Sequence, residues 1–271
     1  MIAAIQFSWH VIWSRIANPD SVFVHALWAT VYISIVAQIM GILLGLMAAL
    51  MRMSHFAPFR FLSALYVLVF RGTPVLVQIM FFYLVFPLPN VVDFGAFSLK
   101  SSFVAGILAL GVNEGAYMRE IIRAGIDSIE RGQTEAAKSL GMRNGLTMRR
   151  IVLPQAARVI VPPLGNEFNN MMKTSSLVSI IGVYELFADA KQGYSTTFDS
   201  AYFVAVAFWY LVLTSIWSVI QVVIERKLAV SEHADELSLR ERAVAVWTEG
   251  GGVARLGEWP FGGGGRWRGR S

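Results

Sequence analysis

Four ionisable side chains stand in otherwise apolar surroundings: Arg71, Glu114, Glu167 and Lys173. A charge inside a hydrocarbon layer costs several kcal/mol unless it is paired or wetted, so each needs a reason to be there. One reason is structural, with Glu114 and Glu167 pairing with Arg71 and Lys173 to fix helix packing. The other is a water-filled path. Both signs of charge, with the neutral hydrogen-bonding groups of Asn113, Asn166, Asn170 and Ser175, suit a small zwitterion, which presents one group of each sign. The sequence leaves both readings open.

Other chemistries are poorly supplied. The chain has no cysteine, so it has no disulfide, thiolate metal site or cysteine nucleophile. His10, His25, His55 and His233 are scattered, and no HExxH pair, EF-hand loop or GxxxxGK[ST] phosphate loop occurs. Ser175 and Lys173 are two residues apart and do not share a helix face, which argues against a nucleophile and base pair. No catalytic residue, bound metal or nucleotide hydrolysis is expected in this chain.

The elements that position the polar groups follow from composition. Of 271 residues, 55% are hydrophobic and only 15% charged, against about one-quarter charged in soluble domains. The mean hydropathy is +0.55. Residues 21–51, 72–92 and 200–224 contain no Asp, Glu, Lys or Arg, and a helix of about 20 residues crosses a bilayer core. This predicts an all-α integral membrane protein with five transmembrane helices at about 22–51, 60–86, 101–123, 158–184 and 201–225. The third carries Glu114 and the fourth carries Glu167 and Lys173, so hydropathy alone scores both poorly, and either is compatible with a re-entrant or interfacial segment. Pro162-Pro163 and Gly165 predict a bent or interrupted fourth helix. Gly41 and Gly45 form a small-xxx-small pair that fits packing within one chain.

Residues 1–20 lack a basic start and an unbroken apolar run, so they read as an external N-terminal segment and not as a cleaved signal. Residues 21–228 form the membrane domain, and residues 229–271, rich in Gly, Arg, Trp and Glu without periodicity, read as a flexible cytoplasmic tail. With the N-terminus outside, Arg52, Arg60, Arg119, Arg123, Arg131, Lys138, Arg143, Arg149, Arg150, Arg158, Arg226 and Lys227 fall on the cytoplasmic side, and only Arg15, Lys100 and Lys191 outside. The positive-inside rule therefore selects N-out and C-in. Six basic residues from Arg131 to Arg158 also suit contact with membrane lipid. The tail has no net charge, and no nucleic-acid partner is expected.

The longest cytoplasmic connection, about 124–157, carries Glu135-Ala136-Ala137, then Gly141 after three residues, then Ile151-Val152-Leu153-Pro154 after nine more. Thr134 to Leu140 is rich in helix formers, and Gly141 stands where a left-handed C-terminal cap is usual. Small Ala136 and Ala137 allow close approach of another surface, with Glu135 and Arg143 as polar anchors at its rim.

That spacing matches the EAA-x3-G-x9-I-x-LP signature at every position, and the chain resembles the permease subunits of bacterial ATP-binding-cassette importers. Arg71-Gly72-Thr73-Pro74 with Gln78, Asn113-Glu114-Gly115-Ala116-Tyr117 with Arg123-Ala124-Gly125-Ile126, and Pro162 to Phe168 with Lys173-Thr174-Ser175-Ser176-Leu177 are similar to the polar amino-acid uptake branch. The commoner pattern near Lys173 has an aspartate followed by threonine; here Thr174 and Ser175 stand in those places. The resemblance covers roughly residues 20–228. It implies a type I importer permease in the bacterial inner membrane that pairs with itself or a sister permease. It also implies two ATPase subunits carrying ATP and Mg, and an external solute-binding protein that delivers an amino acid. Glu135, Ala136, Ala137, Gly141, Arg143, Ile151, Leu153 and Pro154 would couple the permease to the ATPase, and the polar membrane residues would line the substrate path. The competing reading is a secondary amino-acid transporter or channel that needs no ATPase.

Overall fold

The computed structural model describes residues 7–93 and 98–228. Residues 229–271, assigned to a tail above, lie outside the described residues. The order of elements is α1 (Trp9–Ala17), α2 (Ser21–Met53), α3 (Ala57–Gly72), α4 (Val75–Leu84), β1 (Val91–Asp93), β2 (Ser98–Lys100) and α5 (Ser101–Asp127). It continues with α6 (Arg131–Ser139), α7 (Asn144–Thr147), α8 (Leu153–Thr174), α9 (Leu186–Thr197) and α10 (Ala201–Leu228). The helical expectation holds with one addition, an antiparallel pair of three-residue strands that registers Val91 with Lys100 and Asp93 with Ser98.

α2 and α10 are long and apolar enough to cross a membrane, with mean hydropathy of 2.3 and 2.1 in their central windows. α3 and α4 pass the same test together as a pair bent by 104°. Their outer faces are apolar and bare, with Leu43 at 63%, Phe61 at 66% and Val219 at 67% exposure. Surfaces of that kind belong in lipid. α5 and α8 carry the charges and fall outside the apolar class, as their sequences lead one to expect.

α5 is the axis of the bundle, packed on α2, α4 and α8. Its contact with α2 is built from glycine. A methyl carbon on Gly41 would stand 2.7 Å from the Glu114 Cβ, one on Gly45 would stand 2.9 Å from the Arg119 backbone nitrogen, and one on Gly115 would stand 2.9 Å from the Leu44 Cβ. The Gly41 and Gly45 pair therefore packs within the chain, which brings the two backbones close and sets Glu114 against α2. Ile33, Ala37, Ile79, Ala109, Leu110 and Met171 fill one end of this core. Ala49, Met118, Ile122, Val152 and Ala156 fill the other.

The chain breaks in a different place from the one its prolines suggest. α8 runs through Pro162 and Pro163, so of the expected bend or interruption the interruption is not found. Side chains of α10 brace that stretch: Gln221 Nε2 donates to the Pro162 carbonyl at 3.2 Å, and Trp217 Nε1 donates to the Gly165 carbonyl at 2.8 Å. The sharp corner falls between α3 and α4. Thr73 is extended (φ −119°, ψ 146°), as the ring of a following proline demands, and Pro74 has no N–H to continue the helix.

Residues 1–20 contain a helix that the sequence pattern did not announce. Asp20 accepts from the Phe23 N–H at 2.7 Å and so caps α2, while pairing with Arg15 at 2.6 Å. Trp209 Nε1 donates to the Arg15 carbonyl at 3.0 Å, tying α1 to α10.

Candidate functional site: a polar cavity and an exposed helical loop

The α3–α4 corner exposes backbone carbonyls that a continuous helix would satisfy, and two amides take them up. Gln78 Nε2 donates to the Phe70 carbonyl at 2.9 Å and the Thr73 carbonyl at 3.0 Å. Asn113 Nδ2 donates to the same Phe70 carbonyl at 2.9 Å and to Gln78 Oε1 at 3.0 Å. An unwound backbone at this depth survives only where it borders protein or a cavity, and here it borders both.

The cavity holds about 450 Å³ and is bounded by the corner residues Thr73, Pro74 and Val75, by α5 and by α8. α5 contributes Leu110, Asn113, Glu114 and Tyr117, and α8 contributes Glu167, Asn170, Met171 and Thr174. Each set follows i, i+3, i+4, i+7, so each is one face of one helix, and the two faces oppose each other. Lys173 lies at the edge of the second stripe.

Five of the eight expected path residues line this space: Asn113, Glu114, Glu167, Asn170 and Lys173. The other three do not. Asn166 turns to α10 and accepts from Gln221 Nε2 at 3.3 Å. Ser175 is fully buried and donates to the Met172 carbonyl at 2.8 Å. Arg71 stacks over the Tyr117 ring, 5.0 Å from its centroid, and does not itself line the cavity. Thr73, Tyr117, Met171 and Thr174 join the lining without having been singled out as site residues. The i, i+3, i+4, i+7 pattern around Asn113 and Asn170 is the signal that would have found most of them.

The four intramembrane charges do not pair with one another among the described residues. Glu114 is 5% exposed, and its Oε1 has no hydrogen-bond partner. Glu114, Glu167 and Lys173 thus face a shared space without pairing with one another, and the Glu114 Oε1 is left with hydrogen-bonding capacity to spare.

The second region is the loop from α6 to α8. α6 ends in a double cap: the Gly141 N–H bonds the Lys138 carbonyl at 2.9 Å and the Met142 N–H bonds the Ala137 carbonyl at 3.1 Å. Gly141 adopts φ 79°, the left-handed cap its position predicts, and a Cβ there would meet nothing within 4 Å. Backbone conformation, not crowding, calls for glycine. Ala137 is buried and anchors the helix, while Glu135, Ala136, Gly141, Arg143, Leu153 and Pro154 are exposed and Ile151 is half-buried. Leu140, at 84% exposure, projects from the same helix end. A π-helical turn, Met148–Val152, joins this loop to α8.

Bare apolar helices around a polar cavity, with an exposed helical loop at one end, define a multi-pass membrane permease. The match to known proteins makes this specific. Residues 41–230 match the family described as binding-protein-dependent transport system inner membrane component, and the chain belongs to that family. It is 37% identical over 238 residues to the arginine transport system permease protein ArgU of Corynebacterium glutamicum, covering 83% of this chain and 72% of that one. It is 39% identical over 204 residues to the L-cystine transport system permease protein TcyB of Bacillus subtilis, covering 74% and 84%. A crystal structure of an amino acid ABC transporter with histidines superposes with a TM-score of 0.68 at 37% identity, covering 76% of this chain and 94% of that one. The inward-facing methionine transporter MetNI shares the fold at 18% identity and a TM-score of 0.64. The chain is thus an inner-membrane ABC transporter permease, related to subunits named for amino acids.

Proposed function

We propose that this chain forms the translocation path of an ATP-driven amino-acid importer. Five spans, formed by α2, the α3–α4 pair, α5, α8 and α10, run N-out and C-in, with residues 21–228 as the permease domain. α6, with the Glu135-Ala136-Ala137 signature and Gly141, docks into a separate ATP-binding-cassette ATPase that carries ATP and Mg. A second permease copy or a sister permease completes the path, and an external solute-binding protein delivers the substrate. In the cavity, Glu114 and Glu167 face the substrate ammonium, Lys173 faces its carboxylate, and Asn113 and Asn170 supply neutral hydrogen bonds.

The observation that carries this reading is the placement of the signature: Glu135 and Ala136 on the bare face of a capped helix, held by buried Ala137. A secondary carrier has no use for such a surface. Gentle detergent purification of the tagged chain should retain a Walker-containing ATPase, and Gly141→Asp should lose it while the chain still inserts. A chain that purifies alone in both forms and still moves solute in liposomes would establish the secondary carrier instead.

A further inference from the structure

A pocket of about 430 Å³ lies apart from the cavity, at the end of the bundle that carries α6. Arg52 reaches it from the last turn of α2, Arg119, Glu120 and Arg123 from α5, and an apolar wall that includes Val67 and Leu68 from α3. Arg119 and Arg123 are four residues apart and so share a helix face. Arg119 is 5% exposed and is fixed from beneath: its Nε donates to Ser63 Oγ at 3.2 Å, and Ser63 Oγ donates to the Ala48 carbonyl at 2.7 Å.

The charges in this pocket do not balance. Glu120 pairs with Arg119 and, at 3.4 Å, with Arg123. Arg123 also reaches Asp127 at 2.6 Å, outside the lining. Arg52 makes no ion pair or hydrogen bond among the described residues. Three guanidinium groups face one carboxylate across the pocket, and Arg52 has no ion-pair partner among the described residues. Guanidinium forks match the oxygens of a phosphate group. The α3 wall beside them is greasy and open, with Leu68 at 70% exposure, which suits an acyl chain running up from a head group.

We propose that this pocket binds a phosphate-bearing anion, clamped between Arg52 and Arg123 with Arg119 as its fixed floor. Arg119 lies eight residues before the end of α5, about 12 Å at 1.5 Å per residue, so Arg123 and Arg52 sit near head-group depth. In the N-out orientation proposed above, this is the inner leaflet, where anionic phospholipid is the abundant phosphate source. The orientation bears on the source and not on the chemistry of the pocket.

The test titrates phosphatidylglycerol, and separately inorganic phosphate, into the full chain in neutral detergent, with retention read by native mass spectrometry and melting temperature. Arg52→Ala removes no hydrogen bond or ion pair among the described residues, and Arg52→Ala with Arg123→Ala leaves buried Arg119 in place, so both variants should fold. Arg226→Ala is the control, a basic residue at another helix end outside the pocket. Loss of two charge-assisted contacts should weaken phosphatidylglycerol binding by at least about tenfold in the double variant, with a smaller loss in Arg52→Ala and little change in Arg226→Ala. Equal protection by inorganic phosphate, lost in the same variants, would support the site and make its ligand a soluble one. The proposal is overturned if the unmodified chain retains neither probe, if the double variant retains both unchanged, or if Arg226→Ala loses as much.

Discussion

The cavity and the α6 loop are built by opposite means. The loop is contiguous: nearly everything that shapes it, from the Ala137 anchor to the Gly141 cap, lies within a few residues and is fixed by local backbone bonds. The cavity is assembled from separate helices, and Gln78 and Asn113 stitch the broken helix to α5 across its wall. Local backbone bonds fix the loop by itself, while the cavity keeps a seam between separate elements. The two regions should therefore fail in different ways when altered.

The largest effect is expected at the loop. Gly141→Asp places an L side chain at φ 79° and a carboxylate on the exposed loop, and uptake in membrane vesicles should fall by a factor of ten or more, with insertion unchanged by protease mapping. Glu135→Lys should behave alike. Substrate-stimulated uptake at the unmodified level in both variants would remove the loop from the coupling path. At the cavity, Glu114→Gln keeps the shape and deletes a charge, so transport should drop by about tenfold, the value of roughly 1.4 kcal/mol, while ATPase co-purification stays intact. Normal uptake kinetics in that variant would make Glu114 a packing residue and erase the contrast between the regions.

Gln78→Leu probes the seam itself. It removes the amide donor from the Thr73 carbonyl and leaves the Phe70 carbonyl to Asn113 alone, in a part-buried setting, a loss of about 1–3 kcal/mol. The melting temperature in detergent should fall by several degrees, with ATPase retention unaffected. A variant as stable as the unmodified chain would mean that Asn113 and solvent satisfy the corner without Gln78.

The same contrast explains what was legible in the sequence. The loop could be read directly, since contiguous chemistry leaves a contiguous pattern: Glu135 to Gly141 and Ile151 to Pro154 fall where spacing put them, and the left-handed cap at Gly141 was foreseen. The charged residues of α5 and α8 were also visible as anomalies in apolar runs. Their partners were not. Arg71 was a natural partner for Glu114 by charge, yet it stacks on Tyr117, and no linear pattern encodes a ring on another helix. Pro162-Pro163 points to a bend or interruption in the fourth helix, and no break is expected from the sequence at Pro74. The outcome was decided by tertiary bonds from Trp217 and Gln221, which a window of sequence around residue 162 cannot contain. α1 was missed for a similar reason, since Arg15, Asp20 and Trp209 hold it through contacts with distant residues or with its own cap.

The smallest expected effect separates conformation from crowding within α6. Gly132 and Gly141 are both exposed, and a Cβ on either would meet no atom within 4 Å. They differ in backbone: Gly132 is helical, whereas Gly141 has φ 79°. Gly132→Ala should therefore favour the helix by at most about 1 kcal/mol, the propensity difference between the two residues, and leave uptake unchanged. Gly141→Ala should instead cost about 1–2 kcal/mol, the penalty for a left-handed L-residue, and fray the end of α6. Hydrogen exchange of the Gly141 and Met142 amides, which close the cap, would read this directly: protection kept in the first variant and lost in the second. Equal protection in both would mean that packing on the π-helical turn Met148–Val152 holds the cap whatever its backbone prefers, and the loop would then be no more local in its construction than the cavity.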